Sequence, residues 1–419
     1  MSSVTADDRP APTRLPAEIW LLAGANVVIA LGYGVVAPVL PQYARNFGVS
    51  ISAATFVITA FALMRLMFAP PSGLLVQKLG ERRVYLTGLL IVAMSTLACA
   101  FAQTYWQLLL FRSLGGAGST MFTVSSLALM IRLSPSDARG RVAGLFSSAF
   151  MIGGVAGPVL GSVTAGLGLS VPFAIYGVAL LVAAAVVYVS LRHSTLAAAE
   201  QESGPPVSVR TVLRNRAYQA ALLSNLASGW AALGLRVALV PLFVVDVLHR
   251  SAGMAGLVLA MFAVGNVCAV FPGGHLSDRV GRRKLLIIGL AVSGVATGLL
   301  GWATSLSVFL AIAFVTGAAT GIFISPQQAA VADIIGNSAR GGTAVATFQM
   351  MSDLGAIVGS LIVGEIAQHV SFGAAFAVSG AILLVAALGW WLAPETLMSG
   401  DEEETPICPL GHEPVEGSL

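Results

Sequence analysis

The sequence is short of charge. Only 10% of its 419 residues are Asp, Glu, Lys or Arg, against roughly 25% in soluble globular domains, which excludes an ordinary soluble fold. Cysteine is scarce too: Cys99, Cys268 and Cys408 stand far apart, so neither a disulfide framework nor a cysteine-built metal site is expected. The one close Cys–His pair, Cys408 and His412, lies in a polar tail and is too little for zinc. No phosphate-cradling loop and no dinucleotide glycine pattern occurs, so ATP-driven chemistry is not expected, and no cofactor or metal is. Without a His/Cys/Asp cluster the chain does not read as an enzyme. A net charge of +3 gives no argument for nucleic acid. The segment before the first apolar run holds acids and prolines, so no cleavable signal is expected and the first apolar run stays as a helix.

What is abundant is apolar sequence, 57% of residues with a mean hydropathy of +0.87. A membrane-spanning helix takes about 20 mainly apolar residues. Twelve runs qualify, near 17–38, 52–75, 84–103, 105–129, 142–165, 171–191, 218–243, 254–275, 284–303, 307–330, 342–366 and 373–393. The expected fold is therefore an all-α integral membrane protein of twelve spans in two six-helix bundles. An N-terminal tail (1–16) precedes the first bundle (17–191), a polar linker (192–217) separates it from the second (218–393), and an acidic tail (394–419) follows.

Charge placement sets the orientation. With the N-terminus inside, the inner loops and termini hold seventeen of the 22 Lys and Arg, and the outer loops hold only Arg45 and Arg250. That bias predicts both termini on the cytoplasmic side of a bacterial cell membrane. Arg65, Arg112 and Arg236 remain at membrane depth.

The chain also repeats itself. GLLVQKLGERR at 73–83 returns 201 residues later as GHLSDRVGRRK at 274–284, with Ser50, Phe61, Pro71, Gly80 and Arg82 matching Ser251, Phe262, Pro272, Gly281 and Arg283. Equivalent basic turns in a doubled helix set mark a transporter built from two related halves. The turn itself resembles the G-x-L-x-D-R-x-G-R-R hallmark of the major facilitator superfamily. The second copy matches at Gly274, Leu276, Asp278, Arg279, Gly281, Arg282 and Arg283; the first keeps Gly73, Leu75, Gly80, Arg82 and Arg83 but has Gln77 where the acid belongs. The resemblance implies a state-dependent contact by the acid at a helix N-terminus, weaker at Gln77, and makes these residues candidate gate elements. The plainer reading is that the arginines only set topology.

In the fifth span, Gly153, Gly157 and Gly161 fall every four residues on one face, with Pro158 between them. Such a face permits close helix packing, and GxxxGPxxG there resembles the drug/proton antiporter branch of the superfamily. Arg112 lies about seven residues into the fourth span, about 10 Å deep at 1.5 Å per residue. A charge at that depth is costly; the resemblance links it to proton coupling, while a helix-holding role stays open. Arg65 in the second span and Asp353 in the eleventh are the deepest charges, and those helices face each other in the superfamily. A pair is expected because each charge alone would be expensive. Asp353 then reads as a proton carrier or as half of a brace or gate. Asn26, Arg112, Arg236 and Gln349 are candidate cavity residues.

The expected function is proton-coupled efflux of small hydrophobic or amphipathic compounds by alternating access, working in the bilayer as a monomer with substrate and protons as partners. Import of a sugar or organic anion by proton symport is a rival on the same fold. A non-transporting membrane sensor or scaffold is another.

Overall fold

The computed structural model describes residues 16–133, 139–191, 212–335 and 342–397. Among them the regular structure is helical, and twelve long helices run α1 (Ala17–Val36), α2 (Ile51–Leu79), α3 (Glu81–Ala100), α4 (Tyr105–Leu133), α5 (Arg139–Ala165), α6 (Val171–Leu191), α7 (Arg216–Asp246), α8 (Ala252–Val280), α9 (Arg282–Leu300), α10 (Leu306–Ile335), α11 (Gly342–His369) and α12 (Phe372–Trp391). Ten of these are long and apolar enough to cross a membrane, and Met151–Ala165 of α5 adds a shorter apolar stretch. The tails at 1–15 and 398–419 and most of the expected linker lie outside the described residues.

Several helices run longer than the apolar pattern suggests. α2 and α8 have 29 residues each, because Lys78 and Arg279 sit in polar last turns beyond the apolar stretch. Each of the two ends on a glycine of the repeated turn with positive φ: Gly80 at 81° and Gly281 at 102°. That backbone is strained for any residue with a Cβ, and it lets α3 and α9 begin at once on the other side. α7 is not a uniform α-helix, for Trp230–Val237 forms a π-helical stretch, usually a sign of a functional irregularity in a helix. The apolar pattern alone predicts a continuous span there.

The two halves pack by the same rules. α1 packs on α5 and α6 as α7 packs on α11 and α12; α4 packs on α2 and α3 as α10 packs on α8 and α9; α3 meets α6 as α9 meets α12. Across the halves the principal contacts are α2 with α11 and α5 with α8, again an equivalent pair. The glycine face of α5 lies on α1: a Cβ at Gly157 would come within 2.6 Å of the Gly34 Cα and the Leu31 carbonyl oxygen, and one at Gly153 would run into Ala30. α7 and α11 repeat the device, since Gly234 meets Gly359 and Gly355 meets the Leu226 carbonyl. Close backbone approach of this kind replaces the hydrophobic drive that lipid surroundings do not supply.

Apolar side chains also cover the outside, as a lipid-facing protein requires. Trp20 and Trp391 are 59% and 62% exposed at the face that carries the basic turns, and Trp106 and Trp302 are 73% and 63% exposed at the opposite face. Tryptophans at both ends of the spans form the interfacial belts of a membrane protein.

Candidate transport cavity and its gates

The α2–α11 contact is a ladder that descends from the face opposite the basic turns. At its top the Ser52 amide and hydroxyl both donate to Gln368 Oε1 at 3.0 Å. Next come the hydroxyls of Thr59 and Ser360, 2.6 Å apart, and then a dry rung of Ala62, Ala356 and Ile357. The last rung is Arg65 Nε donating to Asp353 Oδ1 at 3.1 Å, with Arg65 Nη1 donating to Ser119 Oγ at 2.9 Å. The two deepest charges therefore meet across the halves, as their depth leads one to expect. Around them the same face is shut by Gln42 donating to the Pro241 carbonyl and by an Arg45–Asp246 ion pair at 3.1 Å. It is shut as well by α5 on α8, where Gly256 lies against the Pro158 carbonyl and Ser162.

Beneath the ladder lies a cavity of about 370 Å³ lined by both halves, unequally. The first half supplies Tyr33, Phe61, Arg65, Leu89, Val92, Arg112, Phe122 and Tyr176 among others; the second supplies Leu233, Gln349, Ser352 and Asp353. Among the described residues, Asp353 is the one carboxylate in that lining. Arg112 is buried, 6% exposed, and its guanidinium carbon lies 4.2 Å from the centre of the Phe61 ring. Its Nε is buried without a hydrogen-bond partner among the described residues.

Of the four residues expected to line a cavity, Arg112 and Gln349 do so. Asn26 does not: it is fully buried, accepting from Ser126 and donating to the Met130 sulfur at 3.2 Å, and so ties α1 to α4. A buried amide is satisfied most economically by a neighbouring helix, and here that neighbour is α4. Arg236 is not in the lining either; its guanidinium lies over the ring of Phe262 at 4.6 Å. Phe61 and Phe262 are repeat equivalents, yet their arginines come from α4 in one half and α7 in the other. Tyr33 and Tyr176 are lining residues that pattern reading passes over. Tyrosine is scarce, seven in the chain, and one in the middle of an apolar span is the available signal for a polar tip inside the bundle.

The second copy of the repeated turn is held within its own half. Arg282 pairs with Asp333 of α10, and Arg283 donates from Nε to the Trp390 carbonyl at 3.2 Å and from Nη2 to that of Trp391. A cation there complements the negative end of α12. Glu395, just past α12, accepts from the Arg282 amide at 2.9 Å and from the Arg283 amide at 3.2 Å, so a carboxylate does sit on the positive end of α9, supplied by the same half. Gly73 has open space around it, whereas a Cβ at Gly274 would lie 3.0 Å from Ser325 Oγ. Arg82 stands at the start of α3 and Arg83 is exposed beside it. The side chains of Gln77 and Asp278 lie outside the described residues. Glu81 and Arg132 occupy the repeat positions of Arg282 and Asp333 with the signs exchanged.

Comparison with known proteins agrees with this geometry. The family model described as Major Facilitator Superfamily matches residues 22–249 and 221–410. The quinolone resistance protein NorA of Staphylococcus aureus is 30% identical over 176 residues, which cover 42% of this chain and 45% of NorA, so the match spans less than half of that relative. The class C tetracycline resistance protein of Escherichia coli is 29% identical over 298 residues, 68% of this chain and 73% of that protein. Among solved structures, an inward-facing, unoccupied bacterial homologue of the human lysosomal transporter Spinster superposes with a TM-score of 0.75 at 16% identity, covering 90% of this chain and 96% of that one. A D-xylose–proton symporter gives 0.74 at 17% identity, covering 91% and 99%.

Proposed function

Since the chain belongs to the major facilitator superfamily, we propose that this membrane transporter is a proton-coupled exporter of small hydrophobic or amphipathic compounds. Transport would proceed by rocking of the two halves about the cavity. With the basic face taken as cytoplasmic, the ladder and the Arg45–Asp246 pair close the outer side, and the cavity belongs to an inward-facing arrangement. The observation that carries the reading is Asp353. It is the cavity's carboxylate, it stands at the last rung between the halves, and it is bonded to an arginine of the other half. Separation of α2 from α11 breaks the pair and leaves the Asp353 carboxylate to take a proton from the outer side. The neutral acid returns with the halves to the inward-facing arrangement, where Arg65 re-forms the pair and the proton leaves to the inside. Gly153, Gly157, Pro158 and Gly161 support the exporter branch, as do the two resistance proteins among the relatives.

In this scheme Arg65 holds Asp353 across the halves, Arg112 and Gln349 face the substrate, and the repeated turns keep each half rigid while it rocks. The protein works as a monomer in the bacterial cytoplasmic membrane, with both termini inside. The test is transport in everted membrane vesicles with an acidified lumen. Export requires a panel of amphipathic fluorescent dyes to accumulate only while the gradient stands. Accumulation in right-side-out vesicles alone would make the protein an importer, and no gradient-dependent flux in either orientation would remove the reading.

A further inference from the structure

The cavity's charges do not balance, and the imbalance points to a kind of cargo. Arg65 is provided for: Asp353 and Ser119 accept from it at 3.1 and 2.9 Å. The single acid of the described lining is thereby already engaged. Arg112, 6% exposed, has no such partner among the described residues; Phe61 covers one face of its guanidinium, and Nε is orphaned. An uncompensated buried cation is costly, and the ring face offsets only part of that cost. A guanidinium stacked on a ring keeps its edge donors free, and that edge matches a carboxylate in two-pronged geometry. The same lining includes the largely buried apolar side chains of Leu89, Val92 and Phe122. A volume of about 370 Å³ lies near the small end of ligand sites, roughly 300–1,000 Å³.

Resting on the transport reading above, we infer that the cavity takes compact amphipathic monocarboxylates, with the carboxylate on the edge of Arg112 and the apolar body against Leu89, Val92 and Phe122. The cargo supplies the counter-charge that the protein withholds. A lipophilic ammonium ion of the same size would meet an arginine with no acid to answer it, since Asp353 is held by Arg65.

The test is direct binding to the full chain in lipid nanodiscs, without any gradient. The probes are 1-naphthylacetate, its neutral analogue 1-naphthylacetamide, and 2-(1-naphthyl)ethylammonium. Charge-assisted bonds of about 1.5–3 kcal/mol correspond to roughly tenfold to a hundredfold in Kd, so the carboxylate should bind at least about tenfold tighter than the amide. Arg112→Gln should abolish that ratio through loss of carboxylate affinity while the amide still binds. Arg112→Lys, which keeps the charge without the fork, should fall between. Equal binding of acid and amide, tightest binding of the ammonium ion, no binding of any probe, or a preference that survives Arg112→Gln would each overturn the inference. The wild-type ratio needs no variant, so a poorly folding mutant cannot mask the answer. Carboxylate-selective binding in a protein that shows no gradient-driven flux would sink the exporter reading and leave this one standing.

Discussion

Arg45 and Asp246 stand at the same position in the two halves, 201 residues apart, and are bonded to each other at 3.1 Å. A contact between repeat equivalents must lie close to the axis that relates the halves. Rocking that opens this face separates the halves there and should pull the two side chains apart, so the pair is expected only while the face is shut.

The side chains of this pair are 37% and 33% exposed, and an ion pair that open to water stabilises by about 0–1 kcal/mol. Loss of the pair alone should therefore shift the balance toward the open face by roughly fivefold at most. Arg45→Glu, which adds repulsion from Asp246, should shift it further, and Arg45→Asp combined with Asp246→Arg should restore it. Thiol-labelling rates of a cysteine placed inside the cavity, measured with an impermeant reagent from the side opposite the basic face, report the shift. Unchanged labelling in Arg45→Glu would remove this pair from the gate.

The glycine face of α5 admits no side chain. Gly157→Ala puts a methyl within 2.6 Å of the α1 backbone, and overpacking of that kind costs about 1–3 kcal/mol; Gly157→Leu adds more. Both should insert into membranes yet lose thermal stability and transport, while Gly24→Ala, in open space on α1, should match the wild type. Full transport by Gly157→Leu would show that α1 and α5 need not touch.

Removing one partner of a fully buried ion pair costs about 3–5 kcal/mol; the 25% and 16% exposure of Arg65 and Asp353 lowers that figure. Asp353→Asn should reduce folded yield and flux, and Arg65→Gln with Asp353→Asn should recover yield. If the recovered double mutant only equilibrates substrate, Asp353 carries the proton. Uphill transport by it, still driven by a pH gradient, would assign the proton to another group.

At the repeated turn, Gly281→Ala faces two penalties, a φ of 102° and the Glu395 carboxylate at 2.7 Å. Gly80→Ala faces only the first, at 81°. Each positive-φ substitution should cost about 1–2 kcal/mol, with Gly281→Ala the more damaging in detergent melting temperature. Glu395→Ala should harm the wild type by uncapping α9 but harm Gly281→Ala less. Strict additivity of the two changes would mean that the carboxylate does not crowd this position.

The twelve spans and the doubled architecture are legible because apolar length and a 201-residue echo survive any detail of packing. The Arg65–Asp353 contact is legible for a physical reason as well: charges at that depth are too few and too costly to stay apart. Asn26 shows the limit. An amide in an apolar helix announces a hydrogen bond but not its partner, and the choice between cavity and α4 depends on a helix rotation that composition does not encode. The π-helical stretch at Trp230–Val237 leaves no mark in the apolar pattern. Arg236 lies within it and over the ring of Phe262.

The cavity wall comes mostly from the first half, whereas its acid comes from the second. On the proposed reading, most of the substrate wall and the proton carrier thus lie in different halves of one chain, joined by Arg65. Substitutions in α1, α3 and α4 should retune what is carried, and a hybrid with a relative's first half should acquire that relative's cargo while keeping its own dependence on the gradient only where that half still supplies Arg65.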